Sequence, residues 1–164
     1  MHIFYGALVL LLSVIKGDWK NWEKYYPSML YISLSTFVYE YIAHSHFHLW
    51  DFQKTNFLSI MNIHFIHNLV INPFVAFLFL SNYPKKRMKK ILYYAVWSVL
   101  FIIGEVICRQ TGGLIYSNGW TIWWSALFVI TMFPMIRLHH TRKLTALFLS
   151  ILFGLLYLSV FHYI

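Results

Sequence analysis

Glu40, His44 and His48 recur at intervals of four residues. Side chains at i and i+4 share one helix face, so a helix continued through this stretch stacks a carboxylate beneath two imidazoles. His64 and His67, followed by Asn68 and Asn72, form a second polar set with helical spacing. Neutral imidazoles with a carboxylate suit zinc, iron, copper or nickel. Glu40, His44, His48, His64 and His67 are therefore candidate ligands for a transition-metal ion. The same groups could relay protons, because imidazole titrates near neutral pH. The plainer reading gives each histidine a hydrogen bond to a backbone carbonyl or a neighbouring helix. Glu105 has Arg109 four residues on, the spacing of an ion pair on one helix face.

Signatures of particular enzymes are sparse. His44 to His48 contains an HxxxH box of the kind found in membrane di-iron oxygenases, and His64-Phe65-Ile66-His67-Asn68 approaches HxxHH but ends in Asn68. His139-His140 has Ile136 where the first histidine of a third box would stand. The HExxH, GxSxG, P-loop and glycine-rich dinucleotide patterns are absent. Only two aspartates occur, Asp18 and Asp51, so aspartate-rich lipid phosphotransferase motifs are missing too. The single cysteine, Cys108, rules out an intrachain disulfide and a multi-cysteine zinc site.

The elements that must position these groups follow from composition. The chain has 164 residues, of which 60% are apolar and 11% charged. A soluble domain is about 45–50% apolar and about 25% charged. With a mean hydropathy of +0.61, this composition predicts an all-α, polytopic membrane helix bundle forming a single domain. About six transmembrane helices are expected, over residues 1–15, 26–46, 57–80, 91–108, 120–136 and 144–163. The first has no Lys or Arg before Lys16 and no small-residue cleavage site, so it reads as a retained helix rather than a signal peptide.

Eleven of the 13 Lys and Arg residues fall in connections one, three and five: Lys16, Lys20 and Lys24, then Lys85, Lys86, Arg87, Lys89 and Lys90, then Arg137, Arg142 and Lys143. Only Lys54 and Arg109 belong to the other side. The positive-inside rule puts the three basic connections in the cytoplasm and both termini outside. On that orientation Glu40, Glu105 and the histidines from His44 to His67 gather in the outer half, with Glu40 and His64 at similar depth. His139 and His140 face inward and cannot share a metal with them. His2 and His162 lie at the outer termini and could approach the cluster. Trp19, Trp22, Tyr25, Tyr26, Trp50, Trp120, Trp123 and Trp124 suit the headgroup level. Pro73 and Pro134 should kink their helices. Gly112-Gly113 and Asn118-Gly119 predict a small hairpin or dipping loop in the fourth connection. The net charge of +8 is spread over short loops, which suits anionic lipid rather than nucleic acid.

Several short words recur in a recognisable order. Trp22-x-x-Tyr25-Tyr26-Pro27 is followed by Leu49-Trp50-x-Phe52, Leu80-Ser81-Asn82-Tyr83-Pro84, Glu105, Tyr116-x-Asn118-Gly119-Trp120 and Met132-Phe133-Pro134-Met135-x-Arg137-Leu138-His139. Over roughly residues 20–150 this order resembles a family of small multipass membrane proteins of spore-forming Gram-positive bacteria. The resemblance implies a bacterial plasma-membrane protein and no particular chemistry. It includes Glu105, Tyr116, Asn118 and Trp120 and leaves His44 to His48 outside. With Arg109, those four form a second candidate set, ligand-binding or structural. The function expected is non-enzymatic binding of a small cation, proton or ligand in an outer-half polar pocket, with the fourth connection as a lid. One alternative is a structural protein that holds a partner subunit, a second copy of itself or anionic lipid. Another is a histidine-metal membrane enzyme.

Overall fold

The computed structural model of the chain describes residues 1–42, 48–55 and 57–160. His44, His46 and His162 lie outside the described residues. The fold is an all-α helical bundle with one short ribbon. Helix α1 spans His2–Lys16 and α2 spans Trp22–Ile42, separated by a 3-10 turn at Trp19–Asn21. Strand β1 is Trp50–Phe52. Helix α3, Ile60–Ile66, passes through a π-helical turn, His67–Ile71, into α4, Asn72–Ser81. Helix α5 is Arg87–Gln110, β2 is Leu114–Tyr116, α6 is Ile122–Thr141 and α7 is Lys143–Val160.

Local sequence explains these boundaries. Ser59 caps α3 by accepting from the Asn62 backbone N–H. Pro73 lacks an N–H and its ring crowds the carbonyl four residues earlier. The helix meets this with the wide π-helical turn at His67–Ile71 rather than by ending. Gly17 sits where α1 gives way to the turn. A Cβ there would lie 2.2 Å from the Phe77 ring, so only glycine lets the elbow close against α4.

The α3–α4 unit is the centre of the bundle. Val75 to Leu80 are all buried, as a run that is apolar all round requires. Helices α1 and α2 pack on this unit, α6 packs against α2 and α5, and α7 lies outside on α6. Phe77, Phe79 and Phe133 fill the middle. By contrast, α5 buries only Ser98 and Cys108, and α7 only Ala146. Their outer faces are apolar and exposed, as lipid-facing helices are.

Among the described residues, Ile60–Ser81, Arg87–Gln110, Ile122–Thr141 and Lys143–Val160 are each long and apolar enough to cross a membrane. Helices α1 and α2 meet that test only as a pair, bent by 88°. The first is short at 15 residues, and the second buries serines, a threonine and Glu40 among its apolar residues.

The bundle has two chemically distinct ends. At one, the Asn82 side chain donates to the Lys16 carbonyl, the Asp18 N–H donates to Ser81, and the Arg137 guanidinium lies 4.4 Å from the Tyr83 ring. The first, third and fifth connections therefore meet there. At the other end, β1 and β2 pair antiparallel with Trp50 opposite Tyr116, Asp51 opposite Ile115 and Phe52 opposite Leu114. The second and fourth connections are thus joined to each other. The fourth does not fold back into the hairpin expected from its own sequence, although Asn118 and Gly119 do make a turn with positive φ, at 48° and 84°.

Candidate functional site

Glu40, near the end of α2, is buried. Its Oε2 lies 2.9 Å from His64 Nδ1 and also accepts from the Asn68 side-chain amide. Asn68 is itself fully buried. Its Oδ1 accepts from Asn72 at 3.3 Å, and its backbone carbonyl accepts from Ser33 at 2.7 Å. One line of side chains therefore runs Asn72, Asn68, Glu40, His64 across the α2–α3 contact. The predicted nearness of Glu40 and His64 is direct contact.

Among the described residues, the other histidines do not join that carboxylate. His67 Nε2 is 3.0 Å from His2 Nδ1, and the Phe52 ring lies 4.5 Å from the His67 ring. Phe52 also packs 5.0 Å from the His64 ring, so the ribbon wedges an aromatic ring between the two. His48 is exposed, has φ of 44°, and uses its backbone carbonyl to accept from Asn118. Among the described residues, no three His, Cys, Asp or Glu side chains converge to hold a metal ion. At the opposite end, His139 stacks on Tyr31 at 4.2 Å and contacts Ser28, while His140 stacks on Tyr25. Both are packing partners there.

Glu105 is organised differently from the expected i, i+4 pair with Arg109. Its Oε1 accepts from the Tyr116 hydroxyl and from Ser125 Oγ, each at 2.5 Å. The Trp120 indole donates to the same Ser125 at 2.9 Å. Arg109 lies instead over the Tyr116 ring, 4.5 Å from its centroid. The ion pair is replaced because β2 brings Tyr116 to the acid as a donor and offers its ring face to the guanidinium. Burial, and then the bond to Glu105, raises the Tyr116 phenol above its ordinary pKa, so it remains a proton donor. Asn118 stays exposed on the turn, whereas Trp120 is buried.

Both acids line one cavity of about 370 Å³ at the ribbon end. Its walls come from α1, α2, α5, α6 and the ribbon, with His67 and Asn72 of the α3–α4 unit. They include the aromatic rings of Tyr5, Tyr39, Trp50, Phe52, Trp120 and Phe128. None of the described lining residues is Lys or Arg. Phe4 and Leu8 of α1 and Leu100, Ile103 and Ile107 of α5 line the cavity yet are also exposed, so they form its rim. The opening is therefore lateral, along the seam between α1 and α5. Such a concave, mostly apolar space with a few convergent polar groups is the usual form of a small-molecule site. A second cavity of about 340 Å³, bounded by Trp19, Trp22, Tyr26, Phe74 and Phe77, holds no acid or base other than Tyr26.

Two contributors escape a reading of local spacing. Tyr39 accepts from the Trp50 indole at 2.8 Å and so ties the ribbon to α2. Ser125 relays Trp120 to Glu105. His2, expected to be able to approach from the outer terminus, meets His67. In the sequence Trp50 and Trp120, the partners of Tyr39 and Ser125, carry an aromatic signal that headgroup anchoring accounts for.

No protein-family model matches the chain, and neither the curated proteins nor the solved structures contain a significant match to it.

Proposed function

We propose that this chain is an integral protein of a bacterial plasma membrane that binds a small ligand, without converting it, in the cavity framed by α1, α2, α5, α6 and the ribbon. The observation that carries the reading is the arrival of Glu40 and Glu105, from two separate helices, at one apolar-walled cavity. Ionisable groups at membrane depth are costly, and proteins retain them where they act. The ribbon holds this space in place through Tyr39–Trp50 and Glu105–Tyr116.

Six crossings with both termini outside fit this arrangement. Helix α1 starts beside the ribbon, where Thr111 contacts Met1 and His2 packs on Phe52, and α2 returns to it at Tyr39. The elbow between them lies at the basic end with the lysines of the first connection. The positive-inside rule then places that end in the cytoplasm. The exposed faces of α5 and α7 meet lipid or a second copy of the chain.

Cys108 lines the cavity and is the only cysteine, so it reports occupancy without any substitution. The full chain in lipid nanodiscs is treated with a membrane-permeant thiol reagent, with and without dodecanol, a neutral single-chain probe. Slower modification of Cys108 at increasing dodecanol is expected. A rate indifferent to the probe removes the reading.

A further inference from the structure

We infer that the cavity receives a single-chain amphiphile with a cationic ammonium head, admitted sideways from the bilayer through the seam between α1 and α5. This rests on the ligand-binding reading above and specifies its ligand. Charge is the first ground. The cavity presents two carboxyl groups, and its described lining holds no Lys or Arg side chain; its basic groups are His2, His67 and the Met1 amine, none of them hydrogen-bonded to Glu105. Glu40 has His64 beside it, but among the described residues Glu105 receives only hydroxyl donors, while Arg109 is turned onto the Tyr116 ring. A carboxylate in an apolar setting is stabilised by a neighbouring cation. A ligand ammonium group supplies that cation.

The walls are the second ground. Tyr39, Trp50, Trp120 and Phe128 belong to the cavity near the acids, and aromatic faces attract cations, most strongly where water is excluded. Tyr39 stacks on both Trp50, at 6.0 Å, and Phe128, at 4.8 Å, so these rings form one connected aromatic surface. The entrance is the third ground. Its rim residues are all apolar and exposed, which repels a free inorganic ion but accepts an alkyl tail. The head then lies against Glu105 and the rings, and the tail trails between α1 and α5 into the lipid.

The test compares three probes of equal chain length at matched mole fraction in nanodiscs: dodecyltrimethylammonium, dodecanol and dodecyl sulfate. Protection of Cys108 from the thiol reagent is read in the wild-type chain and in Glu105→Gln. In wild type, half-protection by the ammonium probe is expected at about tenfold lower mole fraction than by the alcohol. The sulfate is expected to protect no better than the alcohol. Glu105→Gln should abolish the ammonium preference, so that the ammonium and alcohol probes protect Cys108 at equal mole fraction. Equal potency of ammonium and alcohol in wild type overturns the inference, as does a preference that survives in Glu105→Gln. The three-probe comparison needs no variant, so a poorly folding Glu105→Gln does not blunt it. Failure of every probe to protect Cys108 removes the ligand-binding reading itself, whereas protection by alcohol alone removes only the cationic head.

Discussion

The Tyr116 hydroxyl donates to Glu105 Oε1 at 2.5 Å, fastening the second strand of the ribbon to α5. Removing that hydroxyl in Tyr116→Phe leaves Ser125 as the donor and keeps a ring beneath Arg109. A loss of about 1 kcal/mol in unfolding free energy is expected, the usual net worth of such a bond. Tyr116→Ala also removes the ring and should cost more. Reversible unfolding in mild detergent measures both. Equal stability of the two variants would show that the ring contributes nothing.

Glu40, His64 and Asn68 act as a unit across the α2–α3 contact. A double-mutant cycle with Glu40→Gln and His64→Ala should therefore show non-additivity of about 0.5–3 kcal/mol, as groups in one hydrogen-bonded network do. Additive losses would contradict the contact.

The ribbon's register is open to direct chemical trapping. Asp51 and Ile115 are Cα partners. Opposed residues of an antiparallel pair lie about 4.5–5.5 Å apart, within the span of a disulfide. In a Cys108→Ser background, Asp51→Cys with Ile115→Cys should cross-link on mild oxidation, and Asp51→Cys with Ser117→Cys should do so far more slowly. Gel mobility after proteolysis between the two sites reads the outcome.

Sidedness can be measured in intact cells. In the same background, an impermeant maleimide should modify Asn118→Cys on the ribbon end and spare Met88→Cys until the membrane is opened. Labelling of Met88→Cys from outside would invert the orientation and move both acids to the inner half.

Asp18 offers a pH dependence at the elbow. Hydrogen bonds from Asn21 and then Tyr25 hold its carboxyl below the ordinary value of 3.8. A depressed folded-state pKa means that its stabilisation is present above the unfolded value and is lost as pH falls through the folded one. Asp18→Asn should therefore be less stable than wild type near neutral pH and indistinguishable from it in strong acid, as thermal midpoints of the two proteins across that range would show.

Much of the helical framework is legible in the sequence, because long apolar runs and clustered lysines are local signals. Glu40 and His64 could be paired from depth alone, since their helices are joined by a short connection. The ribbon could not be read. Trp50–Phe52 and Leu114–Tyr116 are three residues each and carry no periodicity, and their pairing joins distant connections. Missing the ribbon meant missing what it brings: Tyr116 to Glu105, Phe52 between His64 and His67, and Trp50 to Tyr39. The expected Glu105–Arg109 pair illustrates this best. Its spacing is correct for one helix in isolation, and a residue from the ribbon takes both partners. The π-helical turn escaped for a different reason: Pro73 announces a disturbance without specifying its form.

The ribbon also bears on the order in which the chain matures. Trp50 is synthesised well before Tyr116, with α3, α4 and α5 emerging in between, so β1 has no strand to join until the fourth connection has left the ribosome. Closure of so distant a pair carries a loop-entropy cost that its local neighbours do not share. Until then the cavity lacks its latch at this end, and the two acids stand in a half-assembled vestibule.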